Sequence, residues 1–411
     1  MNAEIVAVGA ELLLGRRIET NSHTIQKALK HVGVRVRFGS VVTDRIDDVV
    51  AVLRAAIERS DLVIVTGGLG PTADDVTRAA IARAADVPLE ENAEAWRQIQ
   101  EFFTRLQRPM PESNRLQALM PRGAIVLKND RGTAPGVMLA TRGRHVFAMP
   151  GVPAEMQVML EQELVPRIGR LVAQPALVER TLHLFGLPEA AAGEKIRHLM
   201  EAPPPTEVAI TVHDGVISIA ICGPAESRAR VLEIAAEVRA LFGSMIFGED
   251  EDRLDQVVGR RLISTGTTIA TAESCTGGML AAQLTRVPGI SAVFLEGAVT
   301  YSNAAKERAL LLPAGLIEQH GAVSAEVAGA MASGIARVAR ADLGVGITGV
   351  AGPDGGTAEK PVGLVFVALA LRGQLRVHEL RLTGGRDAVR LRATQNALNL
   401  IRLALLERQS A

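Results

Sequence analysis

The feature that most constrains this 411-residue chain is a repeated alternation of short, wholly apolar runs with segments of helical period. Ile5–Gly9 precedes a helical pattern over Ile25–His31; Val34–Val42 precedes Ile46, Val49, Val50, Leu53 and Ile57; then comes Leu62–Thr66. Alternation of this kind reads as βαβαβ and a parallel sheet, because parallel strands need helical crossovers between them. Strands so apolar are covered on both faces, which leaves the loops beyond their carboxyl ends for ligands. A single core does not grow to 411 residues, so two or three domains are expected.

The pattern changes around Pro166–Pro175. A strand near Arg180–Phe185 precedes a helix over Ala190–Met200, and after Pro203-Pro204-Pro205 the runs Val208–Val212 and Val216–Ile221 flank Asp214-Gly215. Asp-Gly between alternating apolar runs marks a hairpin, since both turn positions need positive φ. With a helix over Ser227–Phe242 this β-α-β-β-α order is similar to KH-like modules, without the Gly-x-x-Gly loop that clamps RNA, and reads as a spacer. The acidic stretch Gly248–Asp252 reads as a solvated linker. A further α/β unit follows, with strands over Thr268–Ala272, Phe294–Thr300, Leu343–Thr348, Gly363–Leu371 and Leu375–Leu382, and helices over Gly278–Thr285, Ala304–Leu311, Ala325–Ala341 and Asp387–Leu406. The domains expected are therefore 1–170, 171–248 and 249–411.

Lys plus Arg and Asp plus Glu balance at 45 each, and the aromatics are nine Phe, one Trp and one Tyr. Direct nucleic-acid binding is not expected, because it needs a basic footprint and stacking platforms. Small polar ligands are expected instead. Cys222 and Cys275 build no disulfide framework, no signal-peptide pattern opens the chain, and no apolar run reaches the length of a membrane span, so a reducing cytoplasm is expected.

Three glycine-rich loops follow buried strands. Thr66-Gly67-Gly68-Leu69-Gly70-Pro71-Thr72-Ala73-Asp74-Asp75-Val76-Thr77 opens a helix, where bare backbone N–H groups attract a phosphate, and Asp74 and Asp75 could serve a divalent cation bridging to it. The alternative is that Asp74 or Asp75 caps a helix starting near Val76. Ala272-Glu273-Ser274-Cys275-Thr276-Gly277-Gly278 lies at a strand-to-helix turn that exposes a hydroxyl; Ser274 is either a nucleophile or a helix cap. Val299-Thr300-Tyr301-Ser302-Asn303-Ala304-Ala305-Lys306 supplies a phenol and an amine, either of which could accept the serine proton, although Lys306 reads equally as a solvated helix residue. In Gly346-Ile347-Thr348-Gly349-Val350-Ala351-Gly352-Pro353-Asp354-Gly355-Gly356, backbone N–H groups could hold an oxyanion or a phosphate. Arg386 and Arg390 open the last helix and could fork onto a phosphate, with Arg390 alternatively a surface residue.

As a set these motifs resemble the CinA family. The N-terminal half carries Gly9-Ala10-Glu11-Leu12-Leu13-Leu14-Gly15 with Thr20-Asn21, the Thr66–Thr77 loop, Pro111-Glu112-Ser113-Asn114, Gly132-Thr133-Ala134-Pro135-Gly136 and Met149–Met156. It resembles molybdopterin-binding folds, with departures at Leu116, where the family usually has lysine, and Asp130, where it commonly has proline. From about residue 250 onward the chain resembles the family's nicotinamide-mononucleotide deamidase domain. The resemblance implies an α/β fold in three parts: a molybdopterin-binding-like domain, a small KH-like α+β domain and an α/β deamidase domain. It implies Ser274 as nucleophile with Tyr301, Lys306 and Thr348 as catalytic partners, and no cofactor at that site. Thr276, Gly277, Gly349, Gly352, Arg386 and Arg390 would bind nicotinamide mononucleotide. It implies a metal-dependent ADP-ribose pyrophosphatase at the other end, with Gly67, Gly68, Gly70, Asn114 and Thr133 on substrate and Asp74, Asp75 and Glu11 on the divalent metal. A homodimer is implied as well. The rival readings are a molybdopterin-binding protein and a non-enzymatic protein associated with competence.

Overall fold

The computed structural model describes residues 1–172 and 177–407. The end of the change of pattern read over Pro166–Pro175 lies outside the described residues. Two compact units are present, Met1–Val178 and Glu179–Ala411.

In the first unit the strands are β1 (Asn2–Val8), β2 (Arg35–Val42), β3 (Leu62–Thr66), a β4/β5 ribbon (Leu89–Glu91 and Leu119–Pro121), β6 (Ile125–Leu127), β7 (Gly136–Thr141) and β8 (Arg144–Met149). The main sheet runs β2-β1-β3-β8-β7-β6. Its first four strands are parallel, whereas β7 pairs antiparallel with β8 and β6 antiparallel with β7. Period-2 alternation sorts the side chains into two cores: Val6, Val63, Val65 and Val146 pack with Val49, Leu53 and Ile81. Ile5, Leu62, Ile64 and Phe147 pack with Ile25, Leu29 and Leu160 on the other face. Burial of each such Leu, Ile or Phe contributes about 1.5–3 kcal/mol, which makes this central sheet a rigid platform for its loops. The expectation of strands covered on both faces holds for β1 and β3 but not for β2, whose alternate residues face solvent because it is an edge strand.

The second unit opens with β9 (Val178–Phe185), β10 (Glu207–His213), β11 (Val216–Gly223) and β12 (Ile246–Glu249), in spatial order β10-β11-β9-β12. Asp214 and Gly215 have φ of 53° and 82°, as the predicted two-residue hairpin requires. The reading of Gly248–Asp252 as a solvated linker is corrected. Ile246–Glu249 pairs antiparallel with β9, and the Asp250 carboxylate accepts from Thr181 N and Arg180, so the acids anchor the sheet edge.

The final sheet comprises β13 (Ile269–Glu273), β14 (Phe294–Val299), β15 (Leu343–Gly349), β16 (Leu364–Leu371) and β17 (Gln374–Arg381), ordered β14-β13-β15-β16-β17. β14, β13 and β15 are parallel, β16 pairs antiparallel with β15, and β17 pairs antiparallel with β16. Helices Leu254–Thr265, Met279–Leu284 and Arg386–Glu407 cover one face, while Asn303–Leu310 and Ala325–Ala339 cover the other. Helix Ala325–Ala339 sits close to β15 because Gly344 and Gly346 lack side chains: a Cβ there would lie 2.0 Å from Ala332 O and 2.4 Å from Ala328 O. The chain leaves β13 toward β14 on one side and later toward β15 on the other. This is the switch point at which ligands enter open α/β sheets.

The KH-like sheet shares a core with this domain: Phe185 and Phe247 pack in one cluster with Leu254, Val258 and Leu398. Arg402, 3% exposed, donates to Asn399 Oδ1, to Ser244 O at 2.7 Å and to Ile246 O. Burial pulls its pKa down to about 10. Among the described residues no helix is long and apolar enough to cross a membrane.

Candidate active site

Ser274 follows β13 directly, and its backbone N–H donates to Ile347 O of neighbouring β15 at 2.9 Å. Its hydroxyl is not a helix cap. The following helix, Met279–Leu284, has no capping side chain at Gly278; Glu273, 1% exposed, instead accepts from Leu280 N at 3.1 Å and Ala281 N at 2.8 Å. Ser274 Oγ is thereby left for chemistry. Lys306 lies on helix Asn303–Leu310, whose start is fixed by Ser302 Oγ accepting from Ala305 N. Far from being solvated, Lys306 is 1% exposed, and its Nζ donates to Ser274 Oγ and to Tyr301 O, each at 3.1 Å.

Burial lowers the Lys306 pKa from the ordinary lysine value, since the ammonium loses its hydration and no carboxylate faces it among its hydrogen-bond partners. A lysine so placed holds a neutral amine more readily and can take a proton from an adjacent hydroxyl. The neighbouring Cys275 thiol moves the other way, pushed up to about 11 by burial, and so stays protonated. Of these two adjacent side chains it is the serine that is hydrogen-bonded to Lys306.

Tyr301 is placed differently from the catalytic role implied for its phenol. The side chain is 59% exposed, and the phenol oxygen accepts from Arg386 Nη2 at 2.8 Å rather than bonding Ser274; its backbone carbonyl is what meets Lys306. The Thr348 hydroxyl donates to Ala322 O at 2.7 Å, tying β15 to the Gly321–Ser324 turn, so that donor is not directed at a substrate. Arg386 Nη1 donates to Gly352 O at 2.7 Å, and Arg390 Nη2 to Thr276 O at 3.2 Å. The two arginines thus bring the Gly349–Gly356 loop and the Ser274 loop together. Gly277, with φ of 61°, passes so near that a Cβ would lie 3.4 Å from Arg390 Nη2. Thr276 is fully buried and its hydroxyl has no partner. A Cβ on Gly349 would meet Leu364 O at 2.7 Å.

A second site lies at the end of the first sheet, where a cavity of about 340 Å³ is lined by Glu11, Arg17, Asp44, Asp74, Thr133 and the Gly67–Gly70 loop, among others. Gly67 and Gly68 take φ of 101° and 63°, and a Cβ on Gly67 would sit 2.2 Å from Val8 O. Asp75 neither caps the next helix nor points to a cation with free oxygens. One oxygen accepts from Gly70 N at 2.7 Å and the other from Thr72 N and Oγ1, so it staples the loop. Asn114, 4% exposed, is absent from the cavity wall; its amide donates to Gln117, which donates to Leu69 O. Arg78 and Gln117 were not legible as site residues. Arg78 is buried, with its pKa down to about 10, and fixes the carbonyls of Leu69 and Gly70. Among the described residues no three His, Cys, Asp or Glu side chains converge on a metal position. Glu11 and Asp74 fit only a hard cation that takes most of its oxygens from water and a phosphate, as magnesium-type sites do.

An α/β domain with a glycine-rich loop, a KH-type module and an α/β domain with a buried serine–lysine pair define a three-part architecture. Residues 4–170 match the probable molybdopterin binding domain, 179–248 the damage-inducible protein CinA KH domain, and 251–405 the CinA C-terminal domain. A competence-damage inducible protein of Acetivibrio thermocellus is 41% identical over 98% of both chains, and one from Symbiobacterium thermophilum 44% identical over 99% of both. A solved competence/damage inducible protein of Agrobacterium tumefaciens is 42% identical, covering 38% of this chain and 96% of that one, with a TM-score of 0.36. The chain belongs to the CinA family of competence-damage inducible proteins.

Proposed function

We propose that the C-terminal domain is a nicotinamide-mononucleotide deamidase. The observation that carries this reading is the contact between the buried Lys306 Nζ and Ser274 Oγ. Neutral Lys306 takes the hydroxyl proton as Ser274 Oγ attacks the carboxamide carbon. The tetrahedral adduct collapses as Lys306 returns the proton to nitrogen, the C–N bond breaks, and ammonia leaves an ester on Ser274. Water, deprotonated by the same amine, then hydrolyses the ester to nicotinate mononucleotide and free serine. Arg386 and Arg390 stand at the mouth of the Ser274 loop, where the substrate phosphate would draw Arg386 away from Gly352 O and Tyr301. Release of ammonia from nicotinamide mononucleotide by the full chain, and its loss in Ser274→Ala, tests the reading; unchanged release in Ser274→Ala would sink it.

The N-terminal cavity is proposed to cleave the pyrophosphate of ADP-ribose. Glu11 and Asp74 would hold a divalent cation, which when bound neutralises phosphate charge. This chain's part is to present the Gly67–Gly70 backbone, held open by Asp75 and Arg78, with Thr133 in the same cavity wall. A chelator that leaves ADP-ribose cleavage intact would exclude it.

A further inference from the structure

A separate cavity of about 400 Å³ opens at the other end of the C-terminal sheet, walled by Ser333, Arg337, Arg340, Asp342, Arg372 and Leu375 among others. Asp342 precedes β15 while Gly349 ends it, which puts the cavity about 20 Å along the strand from the proposed catalytic loops. Three arginines therefore line one concavity from three places: the last turn of helix Ala325–Ala339, its C-cap, and the β16–β17 hairpin. The lone carboxylate on the wall is already committed. Asp342 accepts from Thr268 N and Oγ1 and from Arg372 Nε at 3.1 Å, and these bonds hold its pKa below the usual carboxylate value. Among the described residues neither Arg337 nor Arg340 has a carboxylate partner.

The backbone adds an independent observation. Arg340 and Arg372 have φ of 53° and 48°, at a helix C-cap and a hairpin turn where glycine or asparagine fits without strain. Arg142 occupies a similar left-handed position at the β7–β8 hairpin, where its guanidinium is engaged by Asp86 as that of Arg372 is by Asp342, so Arg340 is the one of the three without a carboxylate partner among the described residues. The helix dipole favours a cation in the last turn and so accounts for Arg337 alone. It does not account for arginine at two strained positions facing the same hollow.

We propose that this cavity is a second anion site, binding a small molecule through its phosphate or diphosphate group, remote from the serine. Guanidinium pairs match phosphate oxygens in bidentate geometry, and the volume lies in the range of small-ligand sites. The probe is inorganic pyrophosphate, titrated calorimetrically into the full chain carrying Arg386→Ala/Arg390→Ala with a chelator present, so that neither site proposed above responds. Saturable binding is expected, weakened at least tenfold when Arg340→Gly is added and abolished when Arg337→Ala joins it. Arg340→Gly should also raise the thermal midpoint, because glycine relieves the left-handed backbone. Absence of saturable binding in the starting chain overturns the proposal, and so does binding that survives both added substitutions.

Discussion

Replacing Lys306 with methionine separates chemistry from stability at the proposed active site. The side chain is 1% exposed and its Nζ makes two 3.1 Å hydrogen bonds, to Ser274 Oγ and Tyr301 O. Methionine keeps most of the apolar stem and volume, so no large cavity forms. Leaving Tyr301 O without its donor costs about 1–3 kcal/mol. Opposing this, the variant no longer buries an amine whose pKa is lowered, and each unit of lowering is worth about 1.36 kcal/mol below that pKa. The two effects offset, and the net change in stability should lie within about 2 kcal/mol. The rate should respond far more: a positioned general base contributes about 10²–10⁴-fold, so kcat/KM should fall by about 3–5 kcal/mol. Ammonia release and thermal midpoint, measured across pH, are the assays. In the native protein kcat/KM should rise with pH as Lys306 becomes neutral, with the rise centred below the ordinary value of 10.5, and Lys306→Met should lack that limb. The linkage has the same sign. Between the lowered folded pKa and the ordinary unfolded one, the unfolded chain binds more protons, so native stability climbs with pH there while that of the variant does not. Near-native turnover in Lys306→Met, or a pH limb that persists in it, would refute the role of the amine.

Ser274→Ala should abolish deamidation while keeping the following helix, which Glu273 holds, and should lose about 1–3 kcal/mol in folding because the buried Lys306 amine loses one of its two acceptors; turnover and melting midpoint decide it. A chelator should silence ADP-ribose cleavage and leave ammonia release intact, and equal loss of both would show that the two activities do not have separate sites. Arg386→Ala and Arg390→Ala should lower kcat/KM for nicotinamide mononucleotide by about 2–5 kcal/mol at whichever residue holds the phosphate, with nicotinamide a poor substrate throughout; no change in either single variant or the double variant would move phosphate recognition to the Gly349–Gly356 backbone.

The strands of the C-terminal sheet were legible within a residue or two because β13 to β16 are short, mainly apolar runs and β17 alternates apolar with polar residues after a turn. Ser274 and Lys306 were legible as a nucleophile and one of its two candidate proton acceptors, but the choice of the Lys306 amine over the Tyr301 phenol was not, since 32 residues separate Ser274 from Lys306 and the pairing of β13 with β14 closes the gap. Roles set by tertiary neighbours escaped the sequence. Glu273 lay in plain view in the Ala272–Gly278 motif, yet its carboxylate reaches seven and eight residues ahead, beyond any local capping pattern. Asp75 was read as a metal ligand or helix cap because both explanations suit an acid before a helix, and the structure gives it a third task within its own loop. Strand β12 was hidden by the acids that end it, and the antiparallel pairing of β6 with β7 by the brevity of Ile125–Leu127.

The clamp formed by Arg402 has a consequence for how this protein can be divided. A cut at residue 248 follows the change in sequence pattern, but it would strip Phe185 and Phe247 from the core they share with Leu254 and Leu398. It would also take away Ser244 O and Ile246 O, leaving a buried guanidinium with only Asn399 to face. Charge stranded in that way is among the more destabilising single changes a fold can suffer. The boundary drawn by composition and the boundary of the compact unit are therefore different lines, since the unit that holds the serine domain begins at Glu179, in the first strand of the KH-like sheet.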